Sequence, residues 1–183
     1  RAFPQALGGD NKELVEKLRS KVLHIKGGGI VVHDHRQYWS VLFSEIIAGT
    51  GASIQGRGID MEKKPEVGYP ETTVGVANSL DEALSKVEPV YRSQYAKLWC
   101  DSIGVCEFAM RGLKDSLHLS STTLGQTVGW EDFTVQEALT VGERVTNLMR
   151  LVYAKRGFKK SDEFDVSIKY LTPPPVGLSE GLS

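Results

Sequence analysis

The sequence predicts a mainly α-helical domain, and three observations carry that prediction. Capping-box spacings, in which an N-capping residue is followed three positions later by Glu, occur at Asp10-Asn11-Lys12-Glu13, Ser79-Leu80-Asp81-Glu82 and Thr134-Val135-Gln136-Glu137. Apolar residues behind these starts recur at the 3.6-residue period of a helix that buries one side. Extended character is confined to a brief piece over residues 30–36 and to the tail around Pro173-Pro174-Pro175. The chain holds no internal repeat and no low-complexity block.

In order along the chain, the first box leads into Leu14, Val15, Leu18 and Val22, a short amphipathic helix that ends before Gly27-Gly28-Gly29. That glycine run is followed by β-branched Ile30-Val31-Val32, a poor helix start. With no Gly-Lys-Ser/Thr behind it, a P-loop is excluded and a turn between two elements is the reading. Residues 38–48 form a helix with Trp39, Leu42, Phe43, Ile46 and Ile47 on one face, stopped by Gly49-Thr50-Gly51-Ala52. Residues 56–75 are polar and broken by Pro65, Gly68 and Pro70, which makes them a surface loop.

The second box opens a helix toward Ser102 that Pro89 should kink or divide. Residues 112–129, rich in Ser, Thr and Gly, read as loose chain. The third box opens the longest helix, about six turns, with Leu139, Val145, Leu148, Leu151 and Val152 as its apolar stripe and Gly157 as its stop. Lys159-Lys160-Ser161-Asp162-Glu163 then reads as a solvated post-helix turn whose cations lie favourably past a helix C-terminus. Residues 171–183 form an extended tail. The 183 residues read as one helical region, and the start at Arg1 rather than Met as a piece of a longer chain.

Composition bounds the function. Twenty-two Lys plus Arg against 23 Asp plus Glu give a net charge of -1, which excludes a nucleic-acid binder that depends on counterion release. A hydrophobic share of 40% is enough for a buried core. No apolar run approaches the ~18–20 residues of a membrane span, and a signal-peptide apolar stretch is missing, so a cytoplasmic location is expected. Two cysteines, Cys100 and Cys106, are too few for a disulfide framework and read as reduced thiols.

Several groups could carry chemistry. His33-Asp34-His35 would place two imidazoles on one face of an extended segment, compatible with a metal but more simply a hydrogen-bonded polar stretch. Cys100, Cys106 and His118 fit known zinc spacings poorly. Asp101-Ser102-Ile103-Gly104-Val105-Cys106 gathers an acid, a flexible glycine and a thiol within six residues. A carboxylate suits the N–H donors of a heterocycle, and a thiolate suits a soft metal or an iron–sulfur cluster. A buried structural Cys106 is the plainer alternative.

That segment resembles the Asp-x-x-Gly-Leu-Cys motif of the tungsten-containing aldehyde ferredoxin oxidoreductase family, in its C-terminal region. Gly142-Glu143-Arg144-Val145-Thr146-Asn147-Leu148-Met149-Arg150 is similar to the family's Gly-Glu-Arg-Ile-x-x-Leu-x-Arg, and Lys155-Arg156-Gly157-Phe158-Lys159-Lys160-Ser161-Asp162 to its Arg-Glu-Gly-Phe-x-Arg-x-Asp. Gly129-Trp130 resembles the Thr-Gly-Trp before that helix. His24-Ile25-Lys26-Gly27, running to Asp34-His35-Arg36, resembles Val-Lys-Gly followed by Asp-Pro-Arg. The blocks keep the family's order and cover most of residues 20–175.

The resemblance implies a helical C-terminal domain of an enzyme that oxidises an aldehyde to a carboxylic acid and passes electrons to ferredoxin. It implies a tungsten (or molybdenum) bis-pyranopterin held by Asp101, with the backbone of Ile103, Gly104 and Val105 lining it. It also implies a [4Fe-4S] cluster with Cys106 as its last ligand, the other ligands and the N-terminal domains of the same chain lying upstream. Val105 replaces the motif's Leu conservatively. Ile54 stands where the family often has a His near the metal, and Ile moves no proton, so no catalytic acid or base is carried over. One thiolate does not hold a cluster, so the piece by itself is expected to be inactive. A homo-oligomer fits the resemblance. The second reading is a non-catalytic helical binding or interaction domain, with Asp101 and Cys106 merely structural.

Overall fold

The computed structural model describes residues 6–7, 9–30, 39–48, 80–85 and 87–172. Residues 31–36 of the expected extended piece, the 49–52 stop, the 56–75 loop, Ser79, Ile54 and 173–183 lie outside them. The described chain is mainly helical, as expected. Helix α1 spans Lys12–Arg19 and is capped one residue later than the sequence suggested: Asn11 accepts from the Leu14 N–H at 3.0 Å. A two-residue ladder follows, β1 (His24–Ile25) antiparallel to β2 (Gly28–Gly29). Its turn is Lys26-Gly27, both at positive φ (53° and 72°), the backbone of a tight type I′ hairpin. The glycine run is therefore a turn, and no phosphate loop.

The hairpin is pinned from the far end of the chain. Lys26 N–H donates to Asp165 O at 2.7 Å, and Ser167 N–H donates to His24 O at 2.9 Å. Ile25, fully buried, forms a bridge to Val166.

Helix α2 (Trp39–Ile47) buries a different side from the one its apolar residues mark. Ser44 and Glu45 are buried while Leu42, Phe43, Ile46 and Ile47 are half-buried. The cause is Gln94 of a neighbouring helix, whose Nε2 donates to Ser44 O at 2.6 Å and to Ser44 Oγ at 3.2 Å. Helices α3 (Leu80–Ser85) and α4 (Val87–Ser102) replace the single expected helix. Pro89 occupies the first turn of α4, where an N–H would have no helical partner, so the division the proline predicts costs no hydrogen bond.

Helix α4 is central. Ala96, Trp99 and Cys100 cluster with Met110 of α5 (Glu107–Arg111), Leu117 of α6 (Ser116–Val128), and Ala138 and Leu139 of α7 (Val135–Lys155). Residue numbers rise along α4 as they fall along α7, so the pair is antiparallel. At their crossing Gly142 lies against the Tyr95 backbone: a Cβ there would sit 2.5 Å from the Tyr95 carbonyl carbon and 2.7 Å from its Cα. Burial, with the charge of nearby Glu143 behind it, pushes the Tyr95 phenol pKa up.

Helix α6 corrects the expectation of loose chain at 112–129. Its buried positions are the core residue Leu117 and three small ones, Ser116, Ser121 and Gly125, which let the helix approach closely but carry little apolar signal. Its N-cap, Asp115, is at φ 51° and makes no side-chain cap bond. Trp99 Nε1 donates to Ser120 Oγ at 3.0 Å, and Trp99 stacks on Phe133 with ring centroids 5.4 Å apart.

Helix α7 fulfils its capping box in both directions. Glu137 N–H donates to Thr134 Oγ1 at 3.3 Å, and Thr134 N–H donates to Glu137 Oε2 at 2.7 Å. Its 21 residues make about six turns. The expected apolar stripe, however, is two faces. Nine residues rotate a helix by 900°, so Leu148 stands about 180° from buried Leu139. Leu148 and Leu151 are accordingly about 60% exposed. The helix ends as Gly157 predicts: at φ 88° its N–H donates to Ala154 O, and Phe158 N–H donates to Tyr153 O. The Tyr153 and Phe158 rings meet edge to face at 5.3 Å, completing a Schellman stop. Residues Lys160–Phe164 and Ile168–Leu171 form 3₁₀ turns, so Leu171 closes a turn rather than opening the tail.

Candidate functional site

The Asp101–Cys106 stretch is the C-terminal stop of α4 followed by the N-cap of α5. Val105 N–H donates to Cys100 O at 3.0 Å and Gly104 N–H donates to Asp101 O at 3.2 Å, the two bonds of a Schellman motif. Gly104 takes the left-handed residue, φ 72°, that this motif requires, and the space over its Cα is open. Cys106 then begins α5, its carbonyl accepting from Ala109 N–H at 3.0 Å and Met110 N–H at 3.2 Å while its side chain makes no cap bond.

This geometry sorts the five expected site residues into two sets. Asp101, Gly104 and Cys106 are exposed, whereas Ile103 and Val105 turn inward and pack against the Trp99 cluster. Ile103 and Val105 thus anchor the turn and present only backbone outward. The plainer reading of Cys106 as a buried structural thiol is corrected: Cys106 is exposed, and the buried cysteine is Cys100.

Asp101 does not stand alone. Lys97, one turn earlier and 5% exposed, reaches both carboxylate oxygens at 2.5 Å. An acid in the last turn of a helix is electrostatically misplaced, and this ion pair offsets the mismatch. The i,i+4 spacing was readable in the sequence, but the burial of the lysine was not. A carboxylate has about four lone-pair sites, so Asp101 keeps acceptor capacity for an external N–H.

Cys100, Cys106 and His118 are not brought together: Cys100 is buried in the core, and among the described residues no group of three or more His, Cys, Asp or Glu could hold a metal ion. His33, Asp34, His35 and Ile54 lie outside the described residues. Among the described residues no helix is long and apolar enough to cross a membrane.

A second polar centre was missed. Arg150 Nη1 donates to Ile47 O at 2.7 Å and Nη2 pairs with Glu163, tying α2, α7 and the 160–164 turn together. Beside them Lys26 Nζ donates to Ala48 O and lies 5.9 Å from the Phe158 ring centroid. Burial lowers the Lys26 pKa to about 8, with Glu163 opposing and Arg150 reinforcing the shift. Only folding brings residues 26, 48, 150 and 163 together.

A profile described as "aldehyde ferredoxin oxidoreductase, domains 2 & 3" matches residues 3–182. No curated protein and no solved structure matches the chain.

Proposed function

Since the chain belongs to the aldehyde ferredoxin oxidoreductase family, we propose that it is the C-terminal, cofactor-holding helical region of an oxidoreductase of that kind. The observation that supports this best is the sorting of the Asp101–Cys106 turn. A carboxylate, an open glycine and a thiol free of capping duty face outward on a turn whose other side is locked into the core. These residues fit the implied groups. Asp101, steadied by Lys97, would accept from the N–H edge of a pterin; Gly104 would let that ring approach the backbone; Cys106 would be one thiolate ligand of a [4Fe-4S] cluster.

When bound, a tungsten or molybdenum bis-pyranopterin with its cluster supplies the two-electron oxidation of an aldehyde to an acid and the passage of electrons to ferredoxin. The task of this chain's residues is to fix both groups at one separation. Cys100 is buried, so the remaining cluster thiolates come from outside these residues, from N-terminal domains of the same chain.

The test is Cys106→Ala in the full-length protein, purified without oxygen. Iron should fall by about four atoms per chain, with far-UV circular dichroism unchanged. Asp101→Asn should lower pterin content while leaving the iron in place. Unchanged iron and pterin in both variants would refute the reading in favour of a non-catalytic helical binding domain.

A further inference from the structure

At the C-terminal end of α7 lies a cavity of about 550 Å³ that the cofactor reading does not use. Ala48, Leu151, Ala154 and Phe158 give it apolar walls, and its charged groups are Arg150, Lys159, Lys160 and Glu163, a net formal charge of +2. Glu163 is already engaged by Arg150, and neither lysine has an acid within ion-pair distance among the described residues. Lys26 adds positive charge from behind, its Nζ on the carbonyl of Ala48. The negative end of α7 offsets this charge only in part. The carbonyls of Val152, Tyr153 and Ala154 accept from the N–H groups of Arg156, Gly157 and Phe158.

Arg150 has committed one hydrogen from each terminal nitrogen, to Ile47 O and to Glu163, which holds its guanidinium in place and leaves three of five N–H donors. The cavity is open to solvent along the exposed face of Leu151 and Ala154, and its volume lies in the roughly 300–1,000 Å³ range of small-molecule sites, with apolar walls and a few convergent polar groups.

We propose that this cavity binds a small organic anion: an aryl or short alkyl body against Phe158, Leu151 and Ala48, and a carboxylate or phosphate head met by Lys159, Lys160 and Arg150. The site does not rest on the cofactor reading. The Asp101–Cys106 turn packs at Ala138 and Leu139, whereas the cavity begins at Asn147, about 12 Å further along α7 at 1.5 Å per residue.

The test is titration calorimetry of the full chain with phenylacetate, phenyl phosphate, neutral phenylacetamide and inorganic phosphate. Phenylacetate or phenyl phosphate should bind with Kd below about 1 mM, and the stronger of the two identifies the head group. The amide and inorganic phosphate should each bind at least about tenfold more weakly. Ala154→Trp, which fills the cavity from the exposed helix surface, and Lys160→Glu should each weaken the aryl anion by about tenfold or more, and Lys114→Glu, on an exposed lysine elsewhere, should not. Should Ala154→Trp fail to fold, the surface change at Lys160 still decides the matter. Equal binding of the amide would overturn the charge assignment, and equal binding of inorganic phosphate the apolar one. Absence of aryl-anion binding, or indifference to Lys160→Glu, would overturn the site.

Discussion

Replacing Gly142 with Ala tests whether α4 and α7 are held at backbone contact. In an isolated helix this change is favourable by about 1 kcal/mol, because glycine loses more conformational freedom than alanine. Here the new Cβ would overlap the Tyr95 carbonyl oxygen and lie 2.5 Å from its carbon, where ordinary contact begins at 3.4 Å, so one helix must withdraw by at least about 1 Å. The obstacle is backbone and has no rotamer through which to escape. A gap of that size forfeits about a quarter to a half of the dispersion energy between facing atoms. The facing atoms belong to Ala96, Trp99 and Cys100 on one side and Ala138 and Leu139 on the other, the centre of the core.

Overpacking of this kind costs about 1–3 kcal/mol and occasionally more. With backbone as the obstacle the upper end applies, so the net expectation is a loss of about 2 kcal/mol after the propensity gain. Urea unfolding followed by far-UV circular dichroism and tryptophan fluorescence should show a lower midpoint at unchanged slope. Gly112→Ala is the control: its Cβ meets nothing within 4 Å and its φ is -78°. That variant should stay within about 0.5 kcal/mol of the parent. A Gly142→Ala protein as stable as the parent would refute the close approach.

Three further outcomes follow from named contacts. Thr134→Ala removes the side-chain half of the α7 capping box and should cost about 1 kcal/mol in the same urea assay; no change would mean that the box is not formed in solution. Lys26 has a folded pKa of about 8 against 10.5 unfolded, so between those values the unfolded chain binds more protons and stability rises with pH. The stability of the parent relative to Lys26→Met should therefore increase from pH 8 to pH 10, and a flat difference would contradict the burial of that amine. Under native conditions iodoacetamide should alkylate exposed Cys106 well ahead of buried Cys100, with both reacting in denaturant; mass spectrometry of the peptides reads the order, and equal native rates would refute the assigned burial.

The structure gives most of the blocks shared with the family an architectural task. Gly142 is the crossing point of two helices, and Arg150 at the other end of its block clamps three elements. Gly157-Phe158 stops α7, and Lys26-Gly27 turns the hairpin. In the Asp101–Cys106 block Gly104 makes the turn, Ile103 and Val105 anchor it, and Asp101 answers the buried Lys97. No bond of this turn requires a thiol at 106, and that exposed thiol beside a carboxylate with spare acceptor capacity is what makes the block a candidate site.

By itself the sequence determined what depends on neighbours a few residues away. The reciprocal cap at Thr134 and Glu137, the glycine stop at 157, a turn at the Gly27-Gly28-Gly29 run and the break near Pro89 all follow from local hydrogen bonding and backbone sterics. Tertiary structure decided what depends on which side of an element meets another. Helix α6 offers a sparse apolar pattern, Leu117 and Leu124, and is held because small residues at 121 and 125 let those leucines reach the core. The stripe on α7 split in two because α4 covers only the Leu139–Gly142 side, and Lys97 is buried because Asp101 answers its charge. The cationic cavity joins residues 48, 150 and 160. Local rules act over one turn of chain; burial and long-range electrostatics act between elements, and only the folded chain fixes which elements meet.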